Sequence, residues 1–220
     1  MSPLESYEFN SIFQTFLHFE IGLLTILNPI AASAIMLSLI NQPTNEKEIK
    51  RVAKRTSITV LIASLCIVIF GELILKMFGI NVYSIKVIGG IILMLISIRM
   101  VQGEIIETTR HSTEERKEAK EREDISVIPL AIPVLVGPGT MATLLVFKIK
   151  TQSLLDLVAL FLAIIVATIV VYISLKNATI FVKVLKITGL KIITRIMGLI
   201  VGAIASQFII AGIKSLWQLY

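Results

Sequence analysis

Long apolar runs separated by short charged stretches set the pattern of this chain. The stretches 21–45, 56–71, 125–147, 157–175 and 196–213 contain no Asp, Glu, Lys or Arg. Most are long enough as helices to cross a hydrocarbon core, which takes roughly 20 residues. Length and breaks together predict six spans, at 12–40, 52–75, 82–101, 125–147, 154–175 and 190–217. The third contains Lys86 and Arg99, whose long stems let both charges reach opposite interfaces. The fold class expected is an all-α polytopic membrane protein, since a helix satisfies its own backbone inside the bilayer.

Composition strengthens this reading. The chain is 55% hydrophobic and 16% charged, with a mean hydropathy of +0.88, whereas soluble domains carry about 25% charged residues. The net charge of +6 does not point to nucleic acid, because the basic residues are spread over the ends of apolar segments. They read as orientation signals. Sixteen of the 21 follow spans one, three and five: Lys47, Lys50, Arg51, Lys54 and Arg55; Arg99, Arg110, Arg116, Lys117, Lys120 and Arg122; Lys176, Lys183, Lys186, Lys191 and Arg195. The opposite side holds Lys76, Lys86, Lys148, Lys150 and Lys214. Cytoplasmic loops are the ones enriched in Lys and Arg. A multi-pass cell-membrane protein is therefore expected, with both termini outside and the loops near 41–55, 102–124 and 176–189 in the cytoplasm. Cys66 is the only cysteine, and no basic residue precedes the first apolar run, so neither an internal disulfide nor a cleaved signal peptide is expected.

The halves resemble one another. Displacing the chain by 109 positions brings Pro29 onto Pro138, Lys86 onto Arg195, Gly89 onto Gly198, Ser97 onto Ser206 and Gly103 onto Gly212. A displacement of 110 aligns Ser64-Leu65 with Ser174-Leu175, Lys76 with Lys186 and Gly79 with Gly189. Residues 1–101 and 125–220 thus read as two three-helix repeats joined by a charged cytoplasmic linker, 102–124. The linker mixes five basic with eight acidic residues, and mixed runs of this kind are usually solvated. Three spans per unit force the second copy to enter the membrane in the opposite direction. Transporters commonly bind substrate between inverted repeats of this kind.

The first segment, 12–40, would be about 44 Å long as one helix at about 1.5 Å per residue, well beyond a hydrocarbon core of about 30 Å. Its middle reads Leu27-Asn28-Pro29-Ile30, and the corresponding place in the fourth segment reads Val136-Gly137-Pro138-Gly139. Proline ends the preceding helix and suits the first turn of a new one, with Asn or Gly before it as the cap. Segments one and four therefore read as broken, each restarting as a half-helix at Pro29 and at Pro138. The free N–H groups and positive dipole end of such half-helices attract a carboxylate. Thr25, Asn28, Ser33, Thr140 and Thr143 supply polar partners nearby, and Gly137 and Gly139 leave backbone open to a small ligand. A pair of ordinary proline kinks is the alternative. Pro129 and Pro133 lack the cap and read as plain kinks.

Leu27-Asn28-Pro29-Ile30, together with Ile132-Pro133-Val134-Leu135-Val136-Gly137-Pro138-Gly139-Thr140, resembles the paired signature of the MarC family, also called the neutral amino acid transporter family. The resemblance spans the whole chain, although Ala31 stands where many members carry glycine. It implies secondary transport of small neutral amino acids such as glycine and alanine, coupled to an ion, H+ or Na+, with no cofactor. Asn28, Pro29, Gly137, Pro138, Gly139 and Thr140 fall at the substrate site it implies. There the substrate carboxylate would meet the half-helix N–H groups, with Asn28 and nearby oxygens holding the ammonium. The partners implied are that substrate and the lipid bilayer; the oligomeric state is open.

Other polar residues are candidates on their own account. Glu20, about two turns before Asn28, is a candidate proton carrier, since ionisable groups within spans are expensive; an interfacial position is its alternative. Glu72 is placed to pair with Lys76 at i, i+4. Ser97 and Ser206 either line the cavity or bond neighbouring helices. The stripes Gly198, Gly202, Ser206 and Ala159, Ala163, Ala167 are spaced for close helix packing. A channel or a broader exporter of small metabolites or drugs is the rival function. An enzyme is not expected: the chain has two histidines, one cysteine and neither a G-x-S-x-G nor an H-E-x-x-H pattern.

Overall fold

The computed structural model describes residues 3–40, 45–103 and 125–218. The stretch 104–124, most of the expected linker, lies outside the described residues. The elements are α1 (Pro3–Leu27), α2 (Pro29–Leu39), α3 (Glu46–Met77), α4 (Val82–Gln102), a wide-turned segment Ser126–Leu135, α5 (Pro138–Lys150), α6 (Leu154–Lys176) and α7 (Ala178–Trp217). Five of the described helical stretches are long and apolar enough to cross a membrane: Ile12–Leu39, Glu46–Met77, Tyr83–Gln102, Leu154–Lys176 and Thr188–Trp217. Ser126–Leu135 with Pro138–Lys150, bent by 60° at the join, makes a sixth when counted as one span. The protein is an all-α polytopic membrane protein.

Local chemistry places the ends. Asn45 and Asn81 cap α3 and α4 by accepting hydrogen bonds from the Lys47 and Tyr83 N–H groups at 3.1 and 2.9 Å. Ser153 and Asp156 form a reciprocal capping box at the start of α6. α4 ends on Gly103 at φ 83°, a conformation glycine adopts without cost. Glu72 and Lys76 form an ion pair at 2.8 Å.

Two stretches differ from what the sequence suggests. The connection 176–189, read as a loop, is largely helical: 178–185 forms the start of α7 and Lys186, at φ 52°, separates it from the membrane-crossing remainder. Pro129 and Pro133 do not merely kink a helix. Ile128 and Ile132, each preceding a proline, take extended backbone at φ −124°, ψ 124° and φ −128°, ψ 120°, because the proline ring excludes the α region for its predecessor.

α6 is the central post. Its buried stripe of Ala159, Leu160, Ala163, Ile164, Ala167 and Val171 faces α1, α2 and α3, and the alanines let those backbones approach. The most extensive packing is α4 against α7. A Cβ on Gly198 would stand 2.6 Å from the Met100 Cβ, and one on Gly202 would stand 2.5 Å from the Ser97 Oγ, so both glycines are required for that approach. Large apolar side chains such as Ile58, Ile62, Ile69 and Leu73 on α3 point outward, as a lipid-facing surface requires.

Candidate functional site

The chain between α1 and α2 breaks at one residue. Asn28 takes the left-handed conformation, φ 42° and ψ 65°, which a short amide side chain tolerates better than most. Two backbone hydrogen bonds meet at the break, Asn28 N–H to the Leu24 carbonyl closing α1 and Ala32 N–H to the Asn28 carbonyl opening α2, both 3.0 Å. Pro29 has no N–H to offer the Thr25 carbonyl. The Ala31 N–H turns instead to Asn28 Oδ1 at 3.4 Å, a cap made inside the membrane. Asn28 is 9% exposed and its Nδ2 has no hydrogen-bond partner. Since Oδ1 is fixed by its bond to Ala31, the group left over is a donor. This alters the role expected of Asn28: its free amide suits a carboxylate, not an ammonium.

The second break is built differently. Gly137, at φ −92° and ψ −177°, is extended, and no side chain caps the start of α5. A Cβ at Gly137 would stand 2.6 Å from the Pro133 carbonyl oxygen, so glycine is needed there for room and not for an unusual dihedral. Thr140 spans the bend by donating its hydroxyl to the Leu135 carbonyl at 2.7 Å. Gly139 faces α4: a Cβ there would meet Ile96 Cδ1 at 2.8 Å and Leu93 Cδ2 at 3.1 Å. The Leu135 and Pro133 carbonyls are the parts of this break that motif reading missed; the repeated Ile-Pro spacing at 128–129 and 132–133 was the signal available.

The remaining candidates divide. Thr25, Ser33 and Thr143 lie buried beside the breaks, each donating to the carbonyl four residues back, Ile21 at 2.6 Å, Pro29 at 2.8 Å and Gly139 at 2.9 Å. Their oxygens retain lone pairs but their hydrogens are committed. Ser97 donates across the α4–α7 contact to the Gly198 carbonyl at 2.8 Å, while Ser206 bonds within its own helix to Gly202 at 2.9 Å. Glu20 is buried on α1 with neither carboxylate oxygen hydrogen-bonded. α2 packs on the Ser126–Leu135 segment and α1 packs on α5, so each half-helix lies against the first arm of the other half. Among the described residues no cluster of three or more His, Cys, Asp or Glu is placed to hold a metal ion.

Residues 13–217 match the family described as MarC family integral membrane protein. A UPF0056 membrane protein of Aquifex aeolicus (strain VF5) is 36% identical over 196 residues, covering 89% of this chain and 91% of that one. A UPF0056 membrane protein of Methanocaldococcus jannaschii is 36% identical over 194 residues, covering 88% and 93%. The UPF0056 membrane protein YhcE of Escherichia coli (strain K12) is 31% identical over 205 residues, covering 93% and 94%. No solved structure matches the chain. With helices that cross a membrane, two of its apolar segments interrupted at prolines, and a family match over nearly its whole length, this chain belongs to the MarC family of integral membrane proteins.

Proposed function

We propose that this chain is a secondary transporter of small neutral amino acids, glycine- or alanine-like, coupled to an ion and working by alternating access around its two half-helix N-termini. The observation that carries the reading is the Asn28 amide: a donor nine-tenths buried, unpartnered, at the start of a half-helix inside the membrane. A buried donor without an acceptor is costly, and a substrate carboxylate supplies that acceptor alongside the N–H groups and dipole of α2. The ammonium falls to carbonyls left without backbone donors at the break, of which the Thr25 carbonyl is one. The surrounding Ala31, Ala32 and Ile35 favour a small or apolar side chain.

Two inverted repeats, 1–101 and 125–220 joined through 102–124, are part of the proposal, and the packing supports them. Exchanging α1 with the Ser126–Leu135 segment, α2 with α5, α3 with α6 and α4 with α7 turns observed helix pairs into observed helix pairs. α1–α6 becomes the Ser126–Leu135 contact with α3, α2–α7 becomes α5–α4, α2–α6 becomes α5–α3, and α1–α5 becomes the Ser126–Leu135 contact with α2; α3–α6 and α4–α7 map onto themselves. Of the more extensive pairs, only α1–α7 lacks a counterpart of similar extent. Side chains follow the same exchange. Gly103 lies beside Arg195, and Gly212, displaced by 109, lies beside Val87 and Tyr83, the neighbours of Lys86. Rocking of one repeat against the other exposes the breaks to either side in turn, with both termini outside and the basic loops in the cytoplasm.

The test is uptake of labelled glycine and alanine into proteoliposomes of the purified protein. Saturable, stereoselective exchange is the expected result. Non-saturating flux identifies a pore instead, and a substrate panel in which no small neutral amino acid moves or binds overturns the proposal.

A further inference from the structure

Glu20 is the polar group least accounted for. It is 7% exposed, and both carboxylate oxygens are buried without a hydrogen-bond partner. The elements packed against α1 are α5, α6 and α7. At the end of the bundle nearest Glu20 they bring Lys148 and Lys150 from the last turn of α5, Asp156 from the first turn of α6 and Lys214 from the last turn of α7; α1 itself adds His18. At their other ends α6 brings Lys176, and α7 brings Lys183, Lys186, Lys191 and Arg195. None of these is hydrogen-bonded to Glu20. Asp156 accepts from the Gln152 and Ser153 N–H groups, both at 3.0 Å, and the Lys150 ammonium lies 5.7 Å from the centroid of the Phe208 ring.

Where α1 meets the junction of α5 and α6 opens a cavity of about 300 Å³ lined by Thr15, His18, Phe19, Lys150, Gln152 and Asp156. Five of those six side chains are polar, so water fills it readily. Phe19, the residue before Glu20, belongs to the cavity wall and also to a buried aromatic contact with Phe147, centroids 4.9 Å apart. The residue before Glu20 in α1 thus lines the cavity, while Glu20 itself is not among its lining residues.

We infer that Glu20 is the proton-carrying carboxylate of this transporter, loaded from the cavity bounded by His18 and Phe19. The inference rests on the transporter reading and deepens it by naming the ion and its carrier. An ionised carboxylate buried without a partner is far more costly than the neutral acid, so Glu20, buried as it is here, holds a proton. That proton passes from a hydronium ion in the cavity water, whose O–H bond breaks to leave water, to a carboxylate oxygen of Glu20, where an O–H bond forms. It breaks when the repeats have exchanged and water reaches Glu20 from the opposite side. Sodium is the weaker fit, since a hard cation gathers several oxygen ligands at once and no cluster of acidic side chains converges here among the described residues.

The experiment compares wild type with Glu20→Gln, which keeps the shape and removes the titration. In proteoliposomes, alanine accumulation driven by a proton gradient falls by roughly tenfold, an ordinary coupling between two ligands, while alanine counterflow exchange persists. Glu20→Asp, which retains an ionisable group, keeps gradient-driven accumulation with a displaced pH profile, and it serves where the Gln variant fails to fold. Proton-driven accumulation by Glu20→Gln equal to wild type, or wild-type accumulation driven by sodium alone, overturns the inference. A readout without substrate separates it from the transporter reading: the infrared carbonyl stretch of a protonated carboxylic acid, present in wild type and lost in Glu20→Gln. If that band is absent from wild type, Glu20 is not the carrier even where alanine is transported. If the band behaves as expected and no neutral amino acid moves, the substrate assignment fails and the protonated Glu20 stands.

Discussion

The two breaks start their half-helices by opposite means. At Asn28 the backbone turns through a left-handed residue, the side chain makes the cap, and α1 and α2 together still serve as one span, Ile12–Leu39. At Gly137 the backbone stays extended, no side chain caps the helix, and the path bends by 60°. The first break depends on what a side chain supplies, and the second on what a side chain would obstruct. Substitutions at the two places should therefore fail in different ways: loss of room at Gly137 damages the fold, whereas loss of the amide at Asn28 damages recognition.

The largest effect follows from Gly137. Its Cβ position is 2.6 Å from the Pro133 carbonyl oxygen, which is backbone and cannot rotate away. Gly137→Ala is expected to destabilise by about 3 kcal/mol or more, the upper range for overpacking, read as an earlier thermal transition in detergent. Gly79→Ala, at φ 64° with nothing within 4 Å, is the control for dihedral strain alone and costs about 1–2 kcal/mol. If the two variants unfold alike, crowding is not what defines the second break.

Asn28 comes next, with two variants separating backbone from amide. Asn28→Ala keeps a β-carbon in left-handed backbone without the amide that favours it there, and removes the cap, costing about 2 kcal/mol. Asn28→Gly removes only the side chain, and by the usual behaviour of caps its stability cost is about 0.3 kcal/mol. Both lose the Nδ2 donor, so both should raise the KM for alanine or glycine. A glycine variant that transports with unchanged KM removes Asn28 from the site.

Much of this was legible in the sequence, and the reasons differ by region. Span positions follow from length and charge, which govern insertion directly. The helix starts at Pro29 and Pro138 follow from proline's missing N–H and the small or amide residue before it. The extended backbone at Ile128 and Ile132 was not legible, because the two prolines read equally well as kinks in a continuous helix. The orientation of the Asn28 amide was beyond reach too. Which end bonds and which stays free is decided by the Ala31 N–H, an arrangement that exists only once α2 has formed.

Thr140 sharpens the contrast at intermediate cost. Its hydroxyl bridges the second bend, reaching the buried Leu135 carbonyl at 2.7 Å. Ser33 at the first break only returns to Pro29 within its own helix. Thr140→Val keeps the shape and leaves the carbonyl without that donor, an expected loss of about 1.5 kcal/mol. Ser33→Ala should cost less than about 0.5 kcal/mol, since such back-bonding adds little to a helix. Equal losses in thermal unfolding would mean that the Thr140 bond does not hold the bend.

Gly139 gives the smallest effect and the most discriminating one. A Cβ there also comes closer than ordinary contact, 2.8 Å from Ile96 Cδ1 and 3.1 Å from Leu93 Cδ2, but both atoms are the far ends of flexible side chains. Gly139→Ala should cost less than about 1 kcal/mol, with part of the strain offset by the preference of a helix interior for alanine. Ile96→Val removes the Cδ1 carbon itself, so the double variant should be more stable than the sum of the singles, with a coupling of about 0.5 kcal/mol in thermal unfolding. Additive behaviour would place the cost of Gly139→Ala in the turn itself, and α5 would then begin on a stricter backbone than its contact with α4 implies. Coupling would instead make the α4–α5 contact adjustable, which the proposed rocking of one repeat against the other requires.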